Sequence, residues 1–237
     1  MVGENEASAG LRWLIAMSAT APLAAPAFAG AWTQPAKSSL SIVTVAHASI
    51  DGGEMWREET LSESGLGGGW GVNLKLETEQ RFAAVNSDKT GWRLGAQKSF
   101  ALGDRTSVAL IASYIGGDSF DSSFCQGNGL ETRAALGTSF QLLGREAFVN
   151  VEAGYRTRED QDCEHIVGEA AFGIDLTSNL STTVKTWTEE GEEGRSTKVE
   201  ASLLYDFGPL SLGLGWREEV SGAFEEKGWL VSAWRSF

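Results

Sequence analysis

The chain has 237 residues, a formal net charge of −13 and a hydrophobic content of 42%. An excess of acid argues against nucleic acid as a partner, because phosphate contacts need Lys and Arg. Beyond the N-terminal region no apolar run reaches the roughly 20 residues of a membrane-spanning helix, whereas many Gly (29) and Trp (9) with few Pro (4) fit short strands joined by tight turns.

The first segment reads as an export signal. Arg12 precedes an apolar stretch from Trp13 to Ala25, and Ala27-Phe28-Ala29 forms a small-x-small cleavage site. Cleavage is expected after Ala29, which divides the chain into a signal peptide (1–29) and a mature domain (30–237). Glu4 and Glu6 are unusual in such a segment and fit a translation start further along. The alternative, an N-terminal anchor, is disfavoured because the apolar stretch is too short to span.

From Ser38 onward the pattern has period two, the mark of strands with two unlike faces. Trp70, Val72, Leu74 and Leu76 alternate with Gly71, Asn73, Lys75 and Glu77. The same alternation runs through 145–157, 195–207 and 209–219. About twelve strands are expected, over 38–49, 54–63, 69–81, 90–102, 105–116, 130–143, 145–157, 163–176, 179–189, 195–207, 209–219 and 227–237. The second is the least regular: Arg57, Glu58 and Glu59 leave it no clean apolar face, so it is expected to project above a bilayer. Tight connections follow the even strands at Gly65 to Gly69, Gly103-Asp104, Gly144, Thr177-Ser178 and Gly208, and mostly longer polar ones follow the odd strands. Gly65 to Gly69 lacks the Lys-Ser/Thr and helix of a phosphate loop and reads as a turn.

This rhythm predicts an all-β fold, a transmembrane antiparallel up-and-down β-barrel. A soluble sandwich also alternates. The barrel is preferred because the strands reach the roughly 9–11 residues that cross a bilayer at a tilt. Aromatics also cluster near strand ends (Trp70, Trp92, Phe100, Tyr114, Phe140, Tyr155, Tyr205, Phe207, Trp216, Trp229), as interfacial girdles do.

Charges on the second parity are expected to line the lumen. They are Lys75, Glu77, Arg93, Glu131, Arg133, Glu152, Arg156, His165, Glu169, Asp175, Lys185, Lys198, Glu200, Asp206 and Arg217. Neighbouring strands carry opposite signs, so Arg133 is expected to meet Glu152, and Arg156 or Lys185 to meet Glu169. Cys125 and Cys163 fall in the long connections after strands five and seven, and an even count in an oxidising compartment predicts a disulfide between them. The carboxylates Glu189, Glu190, Glu192, Glu193, Glu218, Glu219, Glu225 and Glu226 read as solvated loop charges. They could share divalent cations with lipopolysaccharide phosphates, but no spacing matches a dedicated metal loop. Neither a metal nor a cofactor is expected.

An enzymatic reading has one motif to lean on. His47-Ala48-Ser49 puts His and Ser on one strand face. It resembles the His-x-Ser arrangement of lipid A deacylases, which work from the lipid-facing side. Here the apolar parity is Leu40, Ile42, Ala46 and Ala48, which points His47 and Ser49 inward as a polar lumenal pair. His165 is placed near Glu169, in a charge network.

Phe237 ends the last strand, with Trp229, Val231 and Ala233 on its parity and Arg235 departing from it. This resembles the assembly signal of Gram-negative outer-membrane barrels. The stretch Gly30-Ala31-Trp32-Thr33-Gln34-Pro35 resembles the mature start of uncharacterised alphaproteobacterial barrels with a porin-like layout. The resemblance implies an outer-membrane location, with membrane lipid, lipopolysaccharide and the barrel-assembly machinery as partners. The resulting expectation is a porin-like passive channel for small hydrophilic solutes, not an enzyme. A non-conducting structural or surface-interaction barrel is the alternative, and an outer-membrane hydrolase the third reading.

Overall fold

The computed structural model describes residues 30–50, 53–82, 87–118, 125, 127–159, 163–192, 194–222 and 224–237. The expected signal peptide and Glu193 lie outside the described residues. Twelve strands follow in chain order: β1 (Ser39–Ile50), β2 (Gly53–Gly67), β3 (Trp70–Phe82), β4 (Ser87–Ala101), β5 (Thr106–Gly117), β6 (Gly129–Leu142), β7 (Arg145–Arg158), β8 (Glu164–Asp175), β9 (Leu180–Gly191), β10 (Gly194–Asp206), β11 (Ser211–Ser221) and β12 (Lys227–Ser236). Each pairs antiparallel with its sequence neighbours, and β12 pairs with β1 to close the barrel. Closure leaves no edge strand, so backbone donors and acceptors along the strands are satisfied without water, as a bilayer demands. At the seam Ser39 N donates to Phe237 O (3.2 Å) and Phe237 N to Ser39 O (2.9 Å).

Both ends of the strand run, β1's start and β12's end, lie at one rim with the connections after the even strands. We call this the turn end; it is the periplasmic end of an outer-membrane barrel. The tightest connection there joins β6 to β7 through Leu143 (φ 54°) and Gly144 (φ 76°), the two positive angles that a type I′ hairpin needs. At the opposite rim, the loop end, Cys125 and Cys163 form the expected disulfide.

The outward face is apolar on most strands: Leu74, Leu76, Leu110, Leu136, Val151, Leu203, Leu214 and Val231 all stand exposed there. In a membrane this face meets lipid, and aromatic pairs sit at its two margins. Trp92–Tyr114 (5.3 Å) and Trp216–Trp229 (4.8 Å) are near the loop end, and Tyr205–Phe207 (4.7 Å) is near the turn end.

The first hairpin differs from expectation in how its strands face. β2 pairs with β1 and β3 along its length. Arg57 and Glu59 point inward, where they find partners of opposite charge, and Glu58 points outward. β1 has the reverse facing from that expected. Leu40, Ile42, Ala46, Ala48 and Ile50 are buried inside, while His47 is exposed outside and stacks on outward Trp56 at 4.7 Å. The alternation is as expected, but the lumen is apolar where β1 passes, so hydrophobicity labels the wrong face.

Candidate channel lumen

The lumen has two unlike halves. The turn-end half is packed with side chains. Leu40, Ile42, Phe148, Ala171, Leu204 and Trp234, from five strands, form a buried cluster with Trp32 and Leu61 against it. The segment before β1 enters this half instead of leaving the barrel. Ala31 packs with Ala109 and Ala135, and its backbone N donates to Asn150 Oδ1 (3.1 Å). Gln97 holds the carbonyls of Gly30 and Trp32. Gln34 reaches Glu63 (3.5 Å), and Trp32 meets Phe148 edge-on at 6.4 Å.

The loop-end half is charged and arranged as two networks on facing walls. In one, Arg57 of β2 lies between Glu79 and Glu226, with Nη1 to Glu226 Oε1 at 2.8 Å. Lys75 bridges Glu59 (3.2 Å) and Glu77 (3.0 Å). Arg217 bridges Glu59 (2.7 Å) and Glu200 (2.9 Å), while Lys198 also holds Glu226. In the other, Glu131 of β6 accepts from three arginines: Arg93 (3.0 Å), Arg133 (2.7 Å) and Arg156 (2.8 Å). Arg133 continues to Glu152 (3.4 Å) and Glu169 (3.8 Å), and Arg156 to Glu189 (2.9 Å). Strand pleat explains the convergence: residues two apart share a face, so Glu131 and Arg133, or Lys75 and Glu77, stand side by side. Buried charges are tolerated because each meets an opposite one with directed hydrogen bonds.

Between the networks lies a pocket of about 980 Å³, open solvent at its mouth included. Its wall includes Arg57, Lys75, Arg93, Arg133, Arg156, Lys198 and Arg217 with Glu59, Glu77, Glu169 and Glu189. The connection after β11 folds back over it. Phe224 packs on Ala48, Ile50 and Met55, and Arg81 lies over its ring at 5.7 Å. Burial pushes the Glu226 carboxyl up, but Arg57, Lys198 and Arg217 outweigh it and hold it below the usual carboxylate range.

The structure therefore brings Lys75, Glu77, Arg93, Arg133, Glu152, Arg156, Glu169, Lys198, Glu200 and Arg217 into these networks. Arg133 meets Glu152 as anticipated, but the ion pair to Glu169 comes from Arg133, not from Arg156 or Lys185. Lys185 is half-buried on β9 and is not part of the pocket wall. His165 is buried beside Glu189 (Nδ1 at 3.8 Å), not beside Glu169, because four residues along a strand separate side chains too far. Asp206 accepts from Gly208 N (2.7 Å), so it serves a turn. Glu189, Glu219 and Glu226 are not solvated loop charges: Glu189 pairs with Arg156, Glu219 takes Ser196 Oγ (2.6 Å), and Glu226 is fully buried.

His47 and Ser49 do not face the lumen. His47 Nε2 lies 3.7 Å from Glu54, and Ser49 Oγ donates to Lys227 O (3.5 Å), both on the outer surface. Sequence reasoning missed Arg57, Glu59, Glu79 and Trp187 as lumenal residues. Period two within β2 and β9 carried that signal, since Arg57 and Glu59, or Lys185, Trp187 and Glu189, share a parity.

No protein-family model and no curated protein sequence matches the chain. Solved structures do. An outer membrane channel from Pseudomonas putida F1 superposes with a TM-score of 0.63 at 9% identity, over 89% of this chain and 99% of that one. The NanC porin gives 0.59 at 11% identity, over 81% and 98%. The KdgM porin gives 0.55 at 13% identity, over 83% and 99%. Such likenesses establish the fold, and the outer-membrane location expected from the sequence agrees with them.

Proposed function

We propose that the protein is a porin-like passive channel of the outer membrane for small hydrophilic solutes, with a mixed-charge lumen. The observation that carries this reading is the charged pocket inside a closed barrel. Its wall holds water and polar solute favourably, while the outer face suits lipid. Among the wall residues eight cationic side chains stand against five carboxylates, and Glu131, Glu152, Glu200 and Glu226 pair with the same cations from behind, so the charges nearly balance. A small polar solute is a fitting occupant of such a wall; a KdgM porin has been seen in complex with disordered oligogalacturonate. Export is directed by residues 1–29. Trp229, Val231 and Phe237, all exposed on the outer face, present the last strand to the barrel-assembly machinery and then to lipid and lipopolysaccharide.

A second reading has its own support. The packed turn-end half makes a non-conducting structural or surface-interaction barrel a direct competitor, because apolar side chains and the segment before β1 lie across that layer. Conductance in a planar bilayer separates the two. Stable, ion-selective steps support the channel, and the reversal potential in a salt gradient gives the sign of its selectivity. Silence from correctly folded wild-type protein and from Trp32→Ala alike supports the structural barrel.

A further inference from the structure

We propose that residues 30–37 of the exported chain are a removable closure of the turn-end mouth, bound in a seat that the barrel wall provides; this rests on the channel reading above. The segment crosses the lumen from the β2–β3 wall to the β6–β7 wall. At one side Lys37 N donates to Gly65 O (3.0 Å) and Ala36 bridges the same residue. At the other, Gly30 and Ala31 rest against Asn150.

The wall is shaped for this occupant. A Cβ at Gly137 would overlap the Trp32 indole, and one at Gly65 would overlap the carbonyls of Gln34 and Pro35. Glycine at these positions weakens a strand, and the space it leaves is where the segment lies. The polar contacts are specific too. Asn150 is fully buried, donating to Glu152 (3.1 Å) while accepting from Ala31, and Gln97 is buried with its amide turned to the segment's carbonyls.

The way it is held suits release. Between Ala31 and Pro35 the segment is outside the ladder hydrogen bonds of the barrel, so it can leave without unpairing a strand. Trp32 is its largest anchor, touching two apolar clusters. Gly30 lies inside the lumen, against the Asn150 side chain.

The test compares single-channel records of three folded, exported proteins, each checked by its heat-modifiable migration on gels. Wild type is expected to open rarely. Trp32→Ala is expected to raise the open fraction about a hundredfold, in line with truncating a half-buried aromatic anchor. The double variant Ala31→Cys/Ala135→Cys, oxidised, is expected to stay shut and to regain wild-type openings on reduction. Reduced wild type controls for the native bridge. Equal open fractions in wild type and Trp32→Ala, or steps through the oxidised double variant, overturn the closure and leave the channel standing. Silence from all three overturns both.

Discussion

The two halves of the lumen solve one problem in different ways. Both must fill the inside of a barrel whose outside is committed to lipid. The turn-end half does so mainly with apolar side chains and a chain segment laid across, held by burial and a few neutral hydrogen bonds from Asn150 and Gln97. The loop-end half does so with ion pairs that are directional and depend on every partner. An apolar layer tolerates substitution in proportion to the volume lost. A charge network fails abruptly when one shared partner is removed, because the survivors stay buried and unpaired.

The comparison is tested hardest at Glu131, which three arginines share. Glu131→Gln is expected to destabilise the barrel by about 4 kcal/mol, read as a lower temperature for loss of the compact gel form. A drop comparable to that of a surface substitution would break the contrast. In the apolar half, Trp234→Ala is expected to cost about 3 kcal/mol, with little dependence on salt. Removing the bridge with Cys125→Ser and Cys163→Ser is expected to cost about 2 kcal/mol. Wild type, denatured without reductant, should show no titratable thiol.

Acid sharpens the contrast further. The Glu226 carboxyl is depressed in the folded protein, so its contribution is fully present above its unfolded value of about 4.3 and fades as pH falls toward the folded value. The difference in thermal midpoint between wild type and Glu226→Gln is therefore expected to be largest above about pH 4.3 and to shrink below it. A difference that grows in acid would contradict the pairing with Arg57 and Lys198. The smallest effect belongs to His47→Ala and Ser49→Ala, expected within about 0.5 kcal/mol of wild type.

Strand number, order and most ends were legible because the turn residues and the two-residue period are written locally, although β2 runs on to Gly67, into the glycines expected as a turn, and β4 begins at Ser87. The bridge was legible because both cysteines fall in neighbouring connections. Facing was legible where charges fall on one face and apolar residues on the other, as in β3, β7 and β10; in β2, Glu58 outside beside Arg57 and Glu59 inside hid it. It failed in β1, where both faces carry apolar residues and nothing local says that the lumen there is dry. The segment before β1 escaped notice for a related reason: its seat is assembled from Gly137, Gln97 and Asn150, on three strands far away in sequence. Glu226 likewise reads as a loop acid until β2 brings Arg57 beneath it.

The bridge between Cys125 and Cys163 encloses one hairpin, β6 with β7, and ties its open end opposite the two-residue turn at Leu143-Gly144. That hairpin is thus a covalent ring, and it carries Glu131, Arg133, Glu152 and Arg156. A slip of one residue between its strands would turn alternate side chains to the other face and put these charges into lipid. Fastened at both ends, the ring resists such a slip and keeps these four side chains on the polar side of the wall.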